Sequence, residues 1–325
     1  MKRVGYWFND NKEKRLEIEK FTREYKSDDI LFKKIDLNYD LELQGPFDVI
    51  VHKFLDLLVK QNFGCKKSGN QFNYLKKYLD NHKNTILLDP FETIPPMLYR
   101  YKQNILTNQV AQHPNIRDYV FAPKFCRIES NHVSECMEKC LNAGLEFPIV
   151  CKPEIAHGHN IAHEMCIVFN KEGFKDIDTP CVSQTFINHN ARLFKIFVVG
   201  SQIYICDRPS VKNLSSGNYP TLFFNTNDVS KEESKHELTE LDEEDHVVDY
   251  QPCRELFVEV ASLYREKSGL NLFGIDLIRC NNTSKYAIID VNCFPGYEKM
   301  PYFYTSLESL IREKLDLPQK CSSSD

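Results

Sequence analysis

The chain has 325 residues, with 41 Lys and Arg against 46 Asp and Glu and a formal charge of -5. Hydrophobic residues at 42% and charged residues at 27% fit a globular chain with ample core, long enough for two or three domains. No apolar run approaches the ~18 residues of a membrane span, and 12 glycines disfavour folds built on Gly-rich phosphate loops.

The charge is unevenly spread. Residues 1–225 hold 30 basic and 26 acidic side chains, while residues 228–249 hold ten Asp and Glu against two Lys. A mildly basic body is therefore masked by one acidic segment, which reads as a solvated loop with little core potential. The start, Met1 to Tyr6, lacks the apolar stretch of a signal peptide. The 12 cysteines include no Cys-x-x-Cys, and Cys136 and Cys140 share one helical stripe with Val133, Met137 and Leu141. Reduced core cysteines in a cytosolic or nuclear compartment are the expectation.

In chain order, Arg3–Phe8 reads as a strand and Lys12–Tyr25 as one amphipathic helix with Leu16, Ile18 and Phe21 inward. Ile30–Ile35 and the apolar run Phe47–Val51 read as strands, Gln71–His82 as a helix and Thr85–Leu88 as a fourth strand. This alternation predicts a small parallel α/β domain whose ligand edge, beyond the strand C-termini, holds Asn9–Lys12, His52–Lys53 and Asp89. The prolines at 90, 95 and 96 mark a boundary. A helix over Met97–Gln112, the Cys136 helix and a strand at Phe147–Lys152 follow. Then come a polar loop through His157 and strands at Glu164–Phe169 and Cys181–Phe186. Gly200-Ser201 joins Arg192–Val199 to Gln202–Cys206 as a hairpin. Cys253–Lys267 is a helix stopped by Gly269. Leu272–Arg279 and Tyr286–Asn292 form a last hairpin, so the later region is antiparallel.

That last hairpin carries the sharpest chemical signal. Asp276 and Asp290 each sit in a run that is apolar on both faces. Centring the turn on Thr283 sets Asp276 opposite Asp290, with Asn292 on the same face. Opposed carboxylates in a buried sheet need compensation. Mg²⁺ held by three oxygen ligands would supply it; Lys or Arg from elsewhere is the plainer alternative. Lys152, ending its strand, and Lys195, on the face of Leu193, Phe197 and Val199, each need an anion, either a phosphate or a core carboxylate. Together these groups indicate a nucleoside triphosphate held without a Walker loop; neither phosphate-loop nor protein-kinase signatures occur. His157, His159 and His163 have zinc-like spacing but lack further ligands, so a polar loop with one His facing substrate is preferred. Ser183–Ile187 reads as a strand edge able to offer backbone groups to adenine. No basic cluster interleaved with aromatics indicates nucleic acid.

Several stretches occur in an ordered series: Lys2–Trp7, Gly45–Lys53, Cys151-Lys152 with Ala156-His157-Gly158, Phe186–Ala191, Phe273–Asp276 and Asp290–Tyr297. The series resembles the inositol 1,3,4-trisphosphate 5/6-kinase family, also called inositol-tetrakisphosphate 1-kinase, over nearly the whole chain. The resemblance implies an ATP-grasp fold, α/β in class: an N-terminal parallel domain (1–92), then two antiparallel-sheet subdomains (93–186 and 187–318) clamping the nucleotide, and a tail (319–325). It implies Asp276, Asp290 and Asn292 as ligands of one or two Mg²⁺, and Arg100 and Lys152 on ATP phosphates. Gln184, Thr185, Phe186, Ile187 and Lys195 would line the adenine side, with Ser210 and Ser230 near. Lys12, Lys53, His157, Gly158, Lys195, Asn292 and Gly296 would meet inositol polyphosphate, and Lys195, His157 and Asp290 would serve transfer. The loop from Gly158 to Glu164 looks one residue longer than the family pattern. The implied activity is transfer of the γ-phosphate of ATP to the 5- and 6-hydroxyls of inositol 1,3,4-trisphosphate. Transfer to the 1-hydroxyl of inositol 3,4,5,6-tetrakisphosphate and phosphate exchange between inositols are also implied. A cytoplasmic monomer is expected. An ATP-grasp carboxylate–amine ligase is the alternative reading, and a non-catalytic inositol-phosphate-binding module a third.

Overall fold

The computed structural model describes residues 1–157, 160–229, 234–241 and 250–320. The N-terminal part runs β1 (Lys2–Trp7), α1 (Asp10–Leu16), α2 (Ile18–Glu24), β2 (Ile30–Lys34), β3 (Val49–His52), α3 (Leu55–Asn62), α4 (Lys66–Asn81) and β4 (Ile86–Leu88). Its strands form one parallel sheet in the order β2-β1-β3-β4. The middle part has α5 (Ile94–Leu98), α6 (Arg100–Ala111), β5 (Val120–Phe121), β6 (Phe125–Ile128), α7 (Val133–Ala143), β7 (Ile149–Pro153), β8 (Glu164–Val168) and β9 (Cys181–Thr185). The rest has β10 (Arg192–Val199), β11 (Gln202–Pro209), β12 (Leu222–Asn225), α8 (Thr226–Val229), α9 (Arg254–Ser268), β13 (Leu272–Arg279), β14 (Tyr286–Cys293) and α10 (Phe303–Lys314). Two five-stranded sheets result, β12-β8-β7-β9-β6 and β11-β10-β13-β14-β5. Every pairing in them is antiparallel except β14 with β5, which the sequence reading did not anticipate.

Local chemistry explains where element boundaries differ from expectation. The expected single helix over Lys12–Tyr25 breaks at Glu17, which has φ 51°. Leu16 and Ile18 lie on opposite sides of one continuous helix; the break lets both be buried. Helix α3 and strands β5 and β6 escaped the sequence reading because each is too short to show a period. Gly200, at φ 58°, supplies the left-handed residue of the β10–β11 hairpin, and Gly269, at φ 73°, closes α9.

The described cysteines are all free, and Cys126, Cys136, Cys140, Cys151, Cys166 and Cys181 share one apolar cluster beneath β7, as expected of core thiols. Cys65 and Cys253 are exposed exceptions. Of the acidic segment, residues 234–241 are described, and they do contribute to a core: Leu238 is buried against Phe169, Val211 and Phe224. Residues 230–233 and 242–249 lie outside the described residues. No helix among the described residues is long and apolar enough to cross a membrane.

Asp89, expected on a ligand edge, is instead a buried tie between the sheets. Its carboxylate accepts from the backbone N–H of Asn271 at 2.6 Å and of Leu272 at 3.2 Å, at the start of β13. Burial raises its carboxyl to about 6 against these hydrogen bonds. His52 Nε2 donates to the Asp89 carbonyl (2.8 Å) and the ring stacks on Phe54, so it too is structural. Replacing Asp89 by Ala orphans two buried N–H groups. Asp89→Ala should lower stability by roughly 2–4 kcal/mol, read as a lower denaturant midpoint at unchanged m.

Candidate active site

The site is built on β13 and β14. Counting inward from the Arg279–Tyr286 pair would set Asp276 opposite Ile289 and turn the two acids to opposite faces. A β-bulge between Asp276 and Leu277 adds one residue to β14, and the register becomes Asp276 opposite Asp290 and Gly274 opposite Asn292. The expected pairing is therefore present, but the bulge produces it. On the neighbouring strand β10, Lys195 lies directly across from Asp276.

Each carboxylate has found a cation. Lys195 Nζ lies 2.6 Å from Asp276 Oδ1, and Arg100 Nη1 lies 2.9 Å from Asp290 Oδ1. Asn292 Nδ2 donates to Asp290 Oδ2 at 2.9 Å. The plainer alternative to a metal, compensation by Lys and Arg from elsewhere, thus describes the resting site. Burial works to raise the Asp290 carboxyl, but Arg100, Lys152 and Lys195 outweigh it and hold it below the usual range. Lys152, at the end of β7, donates to the Ile289 carbonyl at 2.9 Å, the backbone group beside the bulge. Burial and the neighbouring Arg100 push this amine down to about 8, against the pull of Asp290.

Arg100 opens α6 and reaches two ways, its Nη2 donating to the Ala162 carbonyl at 2.9 Å. Its Nε is buried without an acceptor among the described residues. An orphaned charged donor costs on the order of 1–3 kcal/mol and is satisfied by an incoming oxygen anion. The donor chemistry also suits a hard cation. Two opposed carboxylates and the Asn292 amide oxygen are oxygen ligands of the kind Mg²⁺ takes. No group of three or more His, Cys, Asp or Glu residues capable of holding a metal occurs among the described residues. In the His157 loop His163 meets Thr226 Oγ1 at 2.9 Å, and His159 lies outside the described residues.

His157 lies between two groups of cations. It is buried, and its ring is pushed down to about 3 by desolvation and by Lys53, with Arg100 also opposing its charge. Gln103, one turn beyond Arg100 on α6, lies 3.1 Å from His157 Nε2. On the far side, Lys12 Nζ donates to the Pro295 carbonyl, lies 4.0 Å from Glu298 and sits over the Phe294 ring. Desolvation, then Lys53, lowers Lys12 to about 7. Asn9 caps α1 by accepting from the Lys12 N–H at 2.9 Å, which fixes the helix start that carries Lys12. Lys53 Nζ is 3.8 Å from Asp56 Oδ1. Gly296 precedes the turn Tyr297–Lys299, close to Lys12.

The expected adenine segment differs from its reading. β9 is not an edge strand: β7 and β6 flank it. Gln184 is buried within it; Thr185 N–H donates to the Lys124 carbonyl and Phe186 N–H to the Pro148 carbonyl. The Ile187 carbonyl meets His189 Nδ1 at 2.7 Å, and His189 Nε2 meets Ser210 Oγ at 2.8 Å, so one buried histidine ties Ile187 to Ser210. Gly158 and Ser230 lie outside the described residues. Sequence reasoning missed Gln103 and His189. Gln103 carried one signal, its spacing of three from Arg100 on a helix face.

A family model described as the inositol 1,3,4-trisphosphate 5/6-kinase ATP-grasp domain matches residues 115–313, and its pre-ATP-grasp companion matches residues 3–94. The chain belongs to the inositol 1,3,4-trisphosphate 5/6-kinase family. It is 39% identical to inositol-tetrakisphosphate 1-kinase of Danio rerio over 97% of this chain and 79% of that protein. It is 38% identical to the Xenopus laevis protein of the same name over 99% and 81% respectively. Among solved structures, the N5-carboxyaminoimidazole synthetase of Staphylococcus aureus superposes with a TM-score of 0.55 at 12% identity, covering 98% of this chain and 78% of that one. The ATP-grasp ligase PsnB gives 0.55 at 10% identity, covering 96% and 99%. At such identities the likeness establishes the ATP-grasp fold and leaves activity to the site.

The Arg100–Asp290 pair is the contact that holds α6 over β14. Arg100→Met should cost roughly 1–3 kcal/mol by taking the guanidinium away from the half-buried Asp290 carboxylate. Adding Asp290→Asn should recover part of it, a coupling that a double-mutant cycle of denaturant midpoints measures.

Proposed function

We propose that the protein is an ATP- and Mg²⁺-dependent inositol polyphosphate kinase. The observation that carries this reading is the convergence of Arg100, Lys152 and Lys195 on one opposed carboxylate pair, with Lys12 and Lys53 on the other side of His157. Such a cleft suits two polyphosphates brought together.

In this reading Asp276, Asp290 and Asn292 would hold one or two Mg²⁺, whose charge would screen the triphosphate. Arg100 and Lys152 bind its phosphates, and Gln184–Ile187 and Ser210 flank the base, with Ser230 completing that side. Lys12, Lys53, Asn292 and Gly296, with Gly158, bind the inositol polyphosphate. Lys195 and His157 line the transfer point. A ring hydroxyl attacks the γ-phosphorus in line while the bond to the bridging oxygen breaks and ADP leaves, the hydroxyl proton passing late to a non-bridging oxygen of the transferred phosphoryl group and from there to solvent. The transition state is loose, so positioning and charge neutralisation carry the rate. The acceptors are inositol 1,3,4-trisphosphate at the 5- and 6-hydroxyls and inositol 3,4,5,6-tetrakisphosphate at the 1-hydroxyl, with phosphate exchange between inositols. We assign residues 1–92 to the inositol side and 93–186 and 187–318 to the nucleotide clamp, in a monomer of the cytoplasm.

Incubation with Mg·ATP and inositol trisphosphate should yield tetrakisphosphate. Asp290→Asn should lower kcat by at least about a hundredfold with the fold intact by circular dichroism. Phosphate release that instead requires an amine and a carboxylate substrate would mark a ligase.

Lys12 gives a pH signature. An amine near 7 is cationic below that pH and loses its charge above it. The acceptor KM should therefore rise by roughly tenfold between about pH 7 and about pH 8.5. The Lys12→Met variant should start from a high KM and lack this limb; identical profiles would remove Lys12 from the acceptor site.

A further inference from the structure

Gln103 and His157 form a buried pair with one consistent proton arrangement. Both are largely inaccessible, at 4% and 6% exposure. Gln103 Nε2 contacts the Met97 carbonyl as well as His157 Nε2. A carbonyl only accepts, so the Gln103 atom facing it must be the amide nitrogen, and this settles the amide orientation. The second proton of that nitrogen then points at His157 Nε2, which must accept it. A neutral imidazole accepting at Nε2 carries its proton on Nδ1. Burial keeps the ring neutral, and Lys53, Arg100 and His163 add to it against the pull of Asp290.

We propose that Gln103 is a positioning residue that fixes His157 as its Nδ1–H tautomer, so that the ring serves the reaction as a neutral hydrogen-bond donor to a phosphate oxygen and not as a base. The inference rests on the kinase reading for its kinetic half and on geometry alone for its tautomer half. A neutral donor fits the site. It satisfies an anionic oxygen without adding a titrating charge between the Lys12–Lys53 group and the Arg100–Lys152 group. It also leaves the acceptor hydroxyl to lose its proton late, as a loose transition state permits.

The test has a spectroscopic and a kinetic arm. In the full-length protein labelled with ¹⁵N-histidine, His157 is identified by the signal lost in His157→Gln. Long-range ¹H–¹⁵N correlations in the absence of substrate should show a protonated Nδ1 and a bare Nε2. In Gln103→Leu that signature should be lost, and kcat should fall by roughly tenfold to a hundredfold with the KM for ATP unchanged. In Gln103→Glu the carboxylate can only accept, which forces the Nε2–H form. Its rate should fall at neutral pH and recover toward acid pH, where the ring gains its second proton and donates again; the native profile should show no such acid recovery. An Nε2–H ring in the native protein, or native kinetics in both Gln103 variants, overturns the inference. Absence of turnover in the native protein overturns the kinase reading and the kinetic half with it, while the spectrum alone decides the tautomer.

Discussion

Two carboxylates, Asp276 and Asp290, face each other across adjacent strands inside a buried sheet. At that separation and burial their repulsion would unfold the hairpin or protonate one of them unless positive charge were brought in. The charge comes from elements distant in sequence: Lys195 from β10, Arg100 from α6 and Lys152 from the other antiparallel sheet. The acids thus recruit the helix and both sheets to one point, so the groups able to bind a triphosphate arrive together as the price of the fold.

The bulge in β14 is the geometric counterpart of this electrostatic demand. Without it, the pairing set at the turn would send Asp276 and Asp290 to opposite faces. With it, the acids oppose each other and the neighbouring Ile289 carbonyl is offered to Lys152. One extra residue therefore sets both the carboxylate pair and the seat of Lys152. Bulges re-aim side chains in this way beside active sites. A comparable economy joins the parallel sheet to this one. Asp89 follows β4 and takes the backbone N–H groups of Asn271 and Leu272 at the entry to β13, which places the Lys12–Lys53 edge beside the hairpin's outgoing strand.

Much of this was legible in the chain itself. Acids in runs apolar on both faces, Lys195 among Leu193, Phe197 and Val199, and Gly200-Ser201 between two strands each report burial or a turn directly. What escaped reading depended on contacts between distant residues. Nothing local says that Asp89 will cap a strand 182 residues away, or that Gln103 will meet His157. The cation partners of the acids were foreseen only as a class. Periodicity also failed where tertiary packing overrode it, as at Glu17, where burying both Leu16 and Ile18 outweighed helix continuity, and at β9, whose polar end looked like an edge but lies between two strands.

The net charge of -5 conceals how the cleft handles anions. His52, His157 and His189 are all held neutral by burial, so positive charge near the cleft rests on Lys and Arg. These are not equivalent. Desolvation has brought Lys12 to about 7 and Lys152 to about 8, so each carries a charge that a nearby anion would strengthen. A guanidinium keeps its charge in proteins, and the cation placed on Asp290 is that of Arg100. The permanent charge therefore secures the half-buried acid, while the adjustable charges stand apart from it. In the kinase reading such a division would keep the site stable between ligands and let an incoming polyanion raise the proton occupancy of Lys12 and Lys152.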